Sequence, residues 1–299
     1  MKQLVKVLSV LAIAAGMLGC IASPIEMTPQ TQQRLQTLPP IRFLLTFDDG
    51  PSASSFYNPT DTVLDSLARN ALQPDIKAVF FVQTGAPRAG ASDIGRRVMH
   101  REHDAGQVLG FHTATHWHTN HRSLSPVELE QSLSKGIADI AAITGASPTL
   151  VRPPFWNYDK RTFAAYQQHG LHVLLTDLSA NDGKIWGFNG SPRRRANMLR
   201  QMSEVRERIA GGELPTVEGV IPVVVTFHDI NRYTARHTRE YLKILLDSAS
   251  TTGVTVATKP FYDDEDQLLR AAMARTVSDT SKVVQLPGIW NWFWDGDSH

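Results

Sequence analysis

The 299 residues carry 30 Lys and Arg against 29 Asp and Glu, a formal charge of +1, with 42% hydrophobic and 20% charged residues. So balanced a chain has no strong long-range field, which argues against nucleic acid as a partner, and its composition is that of a globular protein long enough for one large α/β domain. The lone cysteine, Cys20, excludes an internal disulfide.

At the amino terminus Lys2 and Lys6 precede an apolar run over 7–18 and a small residue, Gly19. This is the layout of an export signal, and the run is too short to cross a bilayer. Met17-Leu18-Gly19-Cys20 resembles the lipobox of bacterial lipoproteins, in which the cysteine is lipidated and begins the mature chain. Leu18 stands where that motif usually has a small residue, and ordinary cleavage nearby without lipidation is the alternative. Residues 1–20 are therefore read as a signal peptide with a lipobox, directing export to the periplasm or cell surface and anchoring to a bacterial membrane through Cys20. Residues 21–39, rich in Pro, Thr and Gln, read as a flexible tether; 40–275 read as the folded domain and 276–299 as a Trp-rich tail. The run Ile289-Trp290-Asn291-Trp292-Phe293-Trp294 is expected to pack against the domain.

Within the domain, short apolar or β-branched runs alternate with stretches of helical period, which argues for βα units around a parallel sheet. Strands are predicted at 41–47, 77–82, 108–111, 150–152, 171–176, 220–227 and 254–258, and helices at 60–70, 94–105, 125–144, 159–170, 193–210 and 236–250. In the third helix Ser125-Pro126 supplies an N-cap and a first-turn proline, Glu128 can close a capping box, and Leu129, Leu133, Ile137 and Ile140 form one stripe. Strands of this number suit a barrel, and the unusual polar clusters fall at their carboxyl ends, where βα barrels gather catalytic groups.

The first cluster, Thr46-Phe47-Asp48-Asp49-Gly50-Pro51, ends a buried strand with adjacent carboxylates, which need a cation or an arginine nearby to offset their repulsion. Phe111-His112-Thr113-Ala114-Thr115-His116 follows the third strand. In a helical turn His112 and His116 would share one side, and Asp49 would complete a set of two histidines and one carboxylate open to water and substrate. His118 and His121 read as bystanders. Val151-Arg152-Pro153-Pro154-Phe155-Trp156 pairs a permanently charged arginine with a stiff loop able to aim a backbone N–H at an oxyanion. Thr176-Asp177 ends the fifth strand and Thr226-Phe227-His228-Asp229 the sixth, where a histidine beside an aspartate is a candidate general acid. Singly, each has a plain structural alternative; their shared position at strand ends favours a site.

In this order, the Thr46–Pro51, His112–His116, Arg152–Phe155, Asp177 and Phe227-His228 segments resemble the five motifs of the NodB-homology polysaccharide deacetylases, carbohydrate esterase family four, over about 41–258. The resemblance implies a distorted (β/α) barrel of seven or eight strands forming a single catalytic domain. It implies that Asp49, His112 and His116 bind one divalent ion, with zinc preferred and cobalt or nickel suited to the same ligands. It also implies that Asp48 is the general base, His228 the general acid, Arg152 the group orienting Asp48, Phe155 an oxyanion-hole backbone N–H, and Asp177 the group tuning His228. The fourth motif departs from the family pattern: a second aspartate and a tryptophan usually follow closely, whereas Leu178-Ser179-Ala180-Asn181-Asp182 intervenes before Trp186. Asp182 and Trp186 are candidates to serve in displaced form.

The activity implied is removal of acetyl groups from an N-acetylglucosamine-type polysaccharide or oligosaccharide, with release of acetate. The alternatives are a non-catalytic carbohydrate-binding envelope lipoprotein on the same fold, an O-acetyl carbohydrate esterase, and a barrel glycosidase. Adjacent acids suit the last poorly, because its two carboxyls stand about 5–9.5 Å apart across a sugar ring.

Overall fold

In the computed structural model, which describes residues 27–182 and 194–278, every pairing between named strands is parallel. The export signal with Cys20, Trp186 and the aromatic run at 289–294 lie outside the described residues. Strand β1 (Ile41–Asp48) is buried throughout except at Arg42, as a parallel strand covered on both faces must be. Along one edge of β1 runs β7 (Ile221–His228), in unbroken register from Ile41↔Ile221 to Asp48↔His228. The other edge is shared: β8 (Val256–Phe261) lies beside Ile41 and Phe43, and β2 (Val79–Gln83) beside Thr46, Phe47 and Asp48. The sheet continues past β2 through β3 (Val108–Thr113), β4 (Leu150–Val151) and β5 (His172–Val173), while β6 (Leu178–Ser179) borders β7.

The predicted strand at 171–176 is therefore two short ones. Leu174 N donates to Val151 O at 2.9 Å and Asp177 N to Val224 O at 3.0 Å, so one segment leaves β4 and crosses to β7. That crossing draws the rims of the sheet together into a curled, distorted barrel. Leu171, Leu174 and Leu175 are buried whichever strand they join, so the hydrophobic pattern carried no mark of the change of partner.

Outside the sheet lie α1 (Pro29–Leu35), α2 (Pro59–Ala68), α3 (Asp93–Asp104), α4 (Pro126–Thr144), α5 (Lys160–Gln168), α6 (Arg194–Gly211), α7 (Arg232–Thr251) and α8 (Glu265–Ala274). Their starts follow from side-chain caps: Asn58, Ser92, Ser125, Asp159 and Asn231 each accept a backbone N–H from the first turn of α2, α3, α4, α5 and α7. Because Asn231 caps it, α7 begins a turn earlier than predicted. The Ser125–Glu128 capping box forms as expected, and α4 ends on Gly145 at φ 76°, a conformation that only glycine adopts without strain.

The expected tether at 21–39 is corrected in its second half. Thr28 caps α1, Pro29 starts it, and its Thr31 and Leu35 are buried, with Thr31 Oγ1 donating to Glu207 Oε2 of α6 at 3.3 Å. Helix α8, for which no prediction was made, seals the barrel floor. Its Leu268, Ala271 and Ala272 join Leu44, Val79, Phe81, Leu150, Leu174 and Val224 in an interior core, and Arg42 Nη1 ties it to the start of β1 through Gln267 Oε1 at 3.1 Å. With the amino-terminal end closed, the open end lies at the strands' carboxyl termini. Among the described residues no helix is long and apolar enough to cross a membrane.

Candidate active site

Strand periodicity sends Leu44, Thr46 and Asp48 of β1 into the barrel and Phe43, Leu45 and Phe47 out to the helices. Simple alternation would send Asp49 outward as well. The chain instead turns left-handed at Asp49, φ 72°, and its carboxylate stays over the open end of the barrel. Gly50 must follow, since a Cβ there would lie 2.3 Å from Asp229 Oδ2.

Three side chains converge above β1. Asp49 Oδ1 lies 3.2 Å from His112 Nε2 and 3.4 Å from His118 Nε2, and the two imidazole nitrogens are 3.1 Å apart. Neighbouring ligands of a tetrahedral ion with bonds of 2.0–2.1 Å are separated by about 3.3 Å, so this triangle fits a zinc-sized ion. His112 Nδ1 donates to Arg152 O at 2.6 Å, which fixes the tautomer and leaves Nε2 as a lone-pair donor facing Asp49 and His118. Gln83 Nε2 steadies Asp49 through its carbonyl at 3.2 Å and Oδ1 at 3.3 Å. Burial by itself would raise the Asp49 carboxyl, but contact with His112 and the charges of His228 and His118 outweigh it and hold the group well below the usual carboxylate range. Burial pushes His118 down to about 4 against the pull of Asp49, so its imidazole is neutral near neutrality, as ligation requires.

The expected third ligand, His116, is not in this cluster. It is exposed and meets Trp117 edge-on, with ring centroids 4.6 Å apart. A spacing of four aligns two histidines only on a helix, and the chain over 114–120 is not helical. Thr113 and Thr115 share a 2.8 Å hydroxyl bond, and Thr115 and Thr119 both donate to Trp117 O. The resulting hydroxyl-tied loop brings back the sixth residue after His112 rather than the fourth. Three threonines and no apolar period over 113–119 were the available warning. His121 is the bystander expected, buried between Tyr166 Oη at 2.8 Å and Thr113 Oγ1 at 3.1 Å.

Asp48 and His228 are register partners at the tips of adjoining strands. Asp48 Oδ1 accepts from Arg152 Nη1 at 2.9 Å. The guanidinium is wholly buried, lies over the Phe81 ring and also donates to Thr46 Oγ1, Thr226 Oγ1, Leu174 O and Leu175 O. Asp48 is the countercharge within hydrogen-bond reach of this deeply desolvated guanidinium. Trp156, unforeseen from the sequence, offers Nε1–H to Asp48 Oδ2 at 3.4 Å. Phe155 stacks on the His118 ring at 4.5 Å. Both aromatic residues have left-handed backbones, φ 59° and 58°. This costs a bulky residue about 1–3 kcal/mol and calls for a reason.

Asp177, expected to tune His228, does not touch it. It accepts from Arg208 at 2.8 Å, Arg275 at 2.6 Å and Val224 N at 2.9 Å, an ion cluster that fastens the barrel wall to α6 and α8. Its place is taken by Asp182, whose Oδ1 accepts from His228 Nδ1 at 2.8 Å while Oδ2 accepts from His228 N and Thr234 Oγ1. The crossing from β4 to β7 occupies the residues after Asp177, so the functional carboxylate arrives five positions later. Burial lowers the His228 pKa, but the charge and hydrogen bond of Asp182 raise it more, to about 10. The ring is therefore protonated, with Nε2 4.0 Å from Asp49 Oδ2.

Behind the site lies a second acidic pair. Glu102 is fully buried and, among the described residues, neither of its carboxylate oxygens has a hydrogen-bond partner; burial first, then the charges of Asp229 and Asp61, raise its pKa well above normal. Asp229, hydrogen-bonded by Thr60, is pushed up to about 7, mainly by burial. Acids raised in the folded state stabilise it fully below their unfolded values and lose that contribution as pH climbs through the folded ones. The contribution of this pair to thermal stability should accordingly fall between roughly pH 4 and pH 7. Glu102→Gln should flatten that decline in melting temperature measured across the same range; an unchanged slope would exclude Glu102 as its source.

The comparisons agree with this architecture. Residues 36–174 match the family model described as polysaccharide deacetylase. The peptidoglycan-N-acetylglucosamine deacetylase PgdA of Listeria monocytogenes is 29% identical over 195 residues, 65% of this chain and 34% of that protein. A chitin deacetylase of Pestalotiopsis sp is 27% identical over 181 residues, 57% of this chain and 54% of the relative. The chain thus spans between 34% and 54% of the length of these relatives. Among solved structures, the chitin deacetylase from Colletotrichum lindemuthianum aligns with a TM-score of 0.53 at 21% identity, covering 74% of this chain and 87% of that one. A family 4 carbohydrate esterase from Streptomyces lividans aligns at 0.50 and 21% identity, covering 74% and 95%. At such identities they show a shared fold, the distorted barrel expected from the sequence. Residues 36–174 thus match the polysaccharide deacetylase family model, and they help to build a curled parallel barrel of the fold these solved structures share.

Proposed function

We propose that this protein removes acetyl groups from an N-acetylglucosamine polymer, releasing acetate and leaving a free amine. The observation that carries the reading is the convergence of Asp49, His112 and His118 on one point, with Asp48 and His228 at the tips of the two adjoining strands. Asp49, His112 and His118 would hold one divalent ion, zinc by the preference of two histidines and one carboxylate, which when bound supplies Lewis acidity toward an acetyl carbonyl and the attacking water. Asp48, held by Arg152, accepts a proton from that water. His228, protonated and oriented by Asp182, delivers a proton from Nε2 to the departing amine. The Phe155 backbone N–H, in a loop stiffened by Pro153 and Pro154, is assigned to the developing oxyanion. The relatives named for peptidoglycan and chitin deacetylation share N-acetylglucosamine as the acetylated unit, and this supports the choice of polymer. Export, with a lipid anchor at Cys20 holding the domain at a membrane facing that polymer, completes the proposal and rests on the leader sequence alone.

The deciding assay offers the full chain peptidoglycan, chitin oligomers and an O-acetylated glycan, and follows free acetate and new amines. Equal release of both from an N-acetylated polymer, abolished by a chelator and restored by zinc, is the expected result. Acetate without amine would make the protein an O-acetyl esterase. No acetate from any of the three by metal-loaded protein would refute the proposal.

A further inference from the structure

We infer that Trp156 is a positioning residue for Asp48, holding the second carboxylate oxygen as Arg152 holds the first. The inference rests on the reading of Asp48 as the general base. The loop after β4 turns through Phe155 and Trp156 with both residues left-handed, a conformation glycine would adopt without steric conflict. A large aromatic side chain at φ 58° therefore needs a function for its ring. The ring is buried, 8% exposed, and its Nε1–H faces Asp48 Oδ2 at 3.4 Å while Arg152 Nη1 engages Oδ1 at 2.9 Å. Rotation of an aspartate carboxyl about its last bond is soft, so a single donor leaves the plane of the group loosely set. Two donors, one on each oxygen and both from the segment 152–156, fix that plane. The 3.4 Å separation is long for an N–H···O bond, and contacts in catalytic sites commonly tighten once substrate is bound. The same loop presents Phe155 to His118, so the groups touching the base and one side of the triangle move as one piece.

Packing alone is the competing explanation, and Trp156→Phe separates the two by keeping an aromatic ring while removing the N–H. With an N-acetylated oligosaccharide, kcat per bound metal ion should fall about tenfold, the scale of one hydrogen bond to a charged group, with KM and metal content unchanged. Trp156→Gly relaxes the backbone and serves as the second variant should the first fail to fold; it should show the same fall in kcat per metal. A kcat per metal within about twofold of the wild type in the folded variant would overturn the inference, whatever happens to melting temperature. An inactive metal-loaded wild type would instead refute the reading of Asp48, so the two failures are distinguishable.

Discussion

His118→Ala should abolish both stoichiometric metal binding and acetate release, whereas His116→Ala should retain both. The contrast follows from geometry: His118 Nε2 is 3.1 Å from His112 Nε2, while the His116 ring lies outward against Trp117. Losing a group that merely orients a ligand costs roughly 10- to 100-fold in metal affinity or activity, so loss of a ligand itself should exceed that range. Metal content after dialysis, measured beside acetate release, checks the assignment. Metal lost from His116→Ala and kept by His118→Ala would reverse it and require the loop at 114–120 to rearrange around the ion.

The second large effect is expected at Asp48. Asp48→Asn preserves the shape of the group but removes the base, and kcat should fall on the order of 10²–10⁴-fold with metal still bound. It also leaves the Arg152 guanidinium, wholly buried beneath it, without its nearest countercharge. Breaking a buried pair from one side typically costs about 3–5 kcal/mol, so a lowered melting temperature should accompany the lost activity. Full activity in this variant would move the base elsewhere. Retained stability with lost activity would mean that the two threonines and two carbonyls around Arg152 compensate for its charge unaided.

Much of the barrel was legible because burial in a parallel sheet writes itself into the chain as short apolar runs, and because caps such as Ser125 and Asn58 mark helix starts locally. The strand-end rule then pointed to Asp48, Asp49, His112, Arg152 and His228, all of which the fold brings to one end of the barrel. What failed were inferences about partners. Helical spacing and the family resemblance point to His116 where the chain forms a hydroxyl-tied loop, and the resemblance points to Asp177 where the chain is changing strands. Helix α8 was missed although it fills the floor of the barrel, since nothing local to its sequence states which cavity it closes.

The sequence by itself therefore determined the fold class, the strand-end residues Asp48, Asp49, His112, Arg152 and His228, and the end of the sheet that carries them. These depend on side-chain period and on chemistry read one strand at a time. Only the tertiary structure decided that His118 completes the triangle, that Asp182 binds His228 and that Trp156 meets Asp48. Each of those pairings joins residues through loops whose path is set by closure of the barrel, where side-chain hydrogen bonds and a few left-handed residues outweigh any periodic signal.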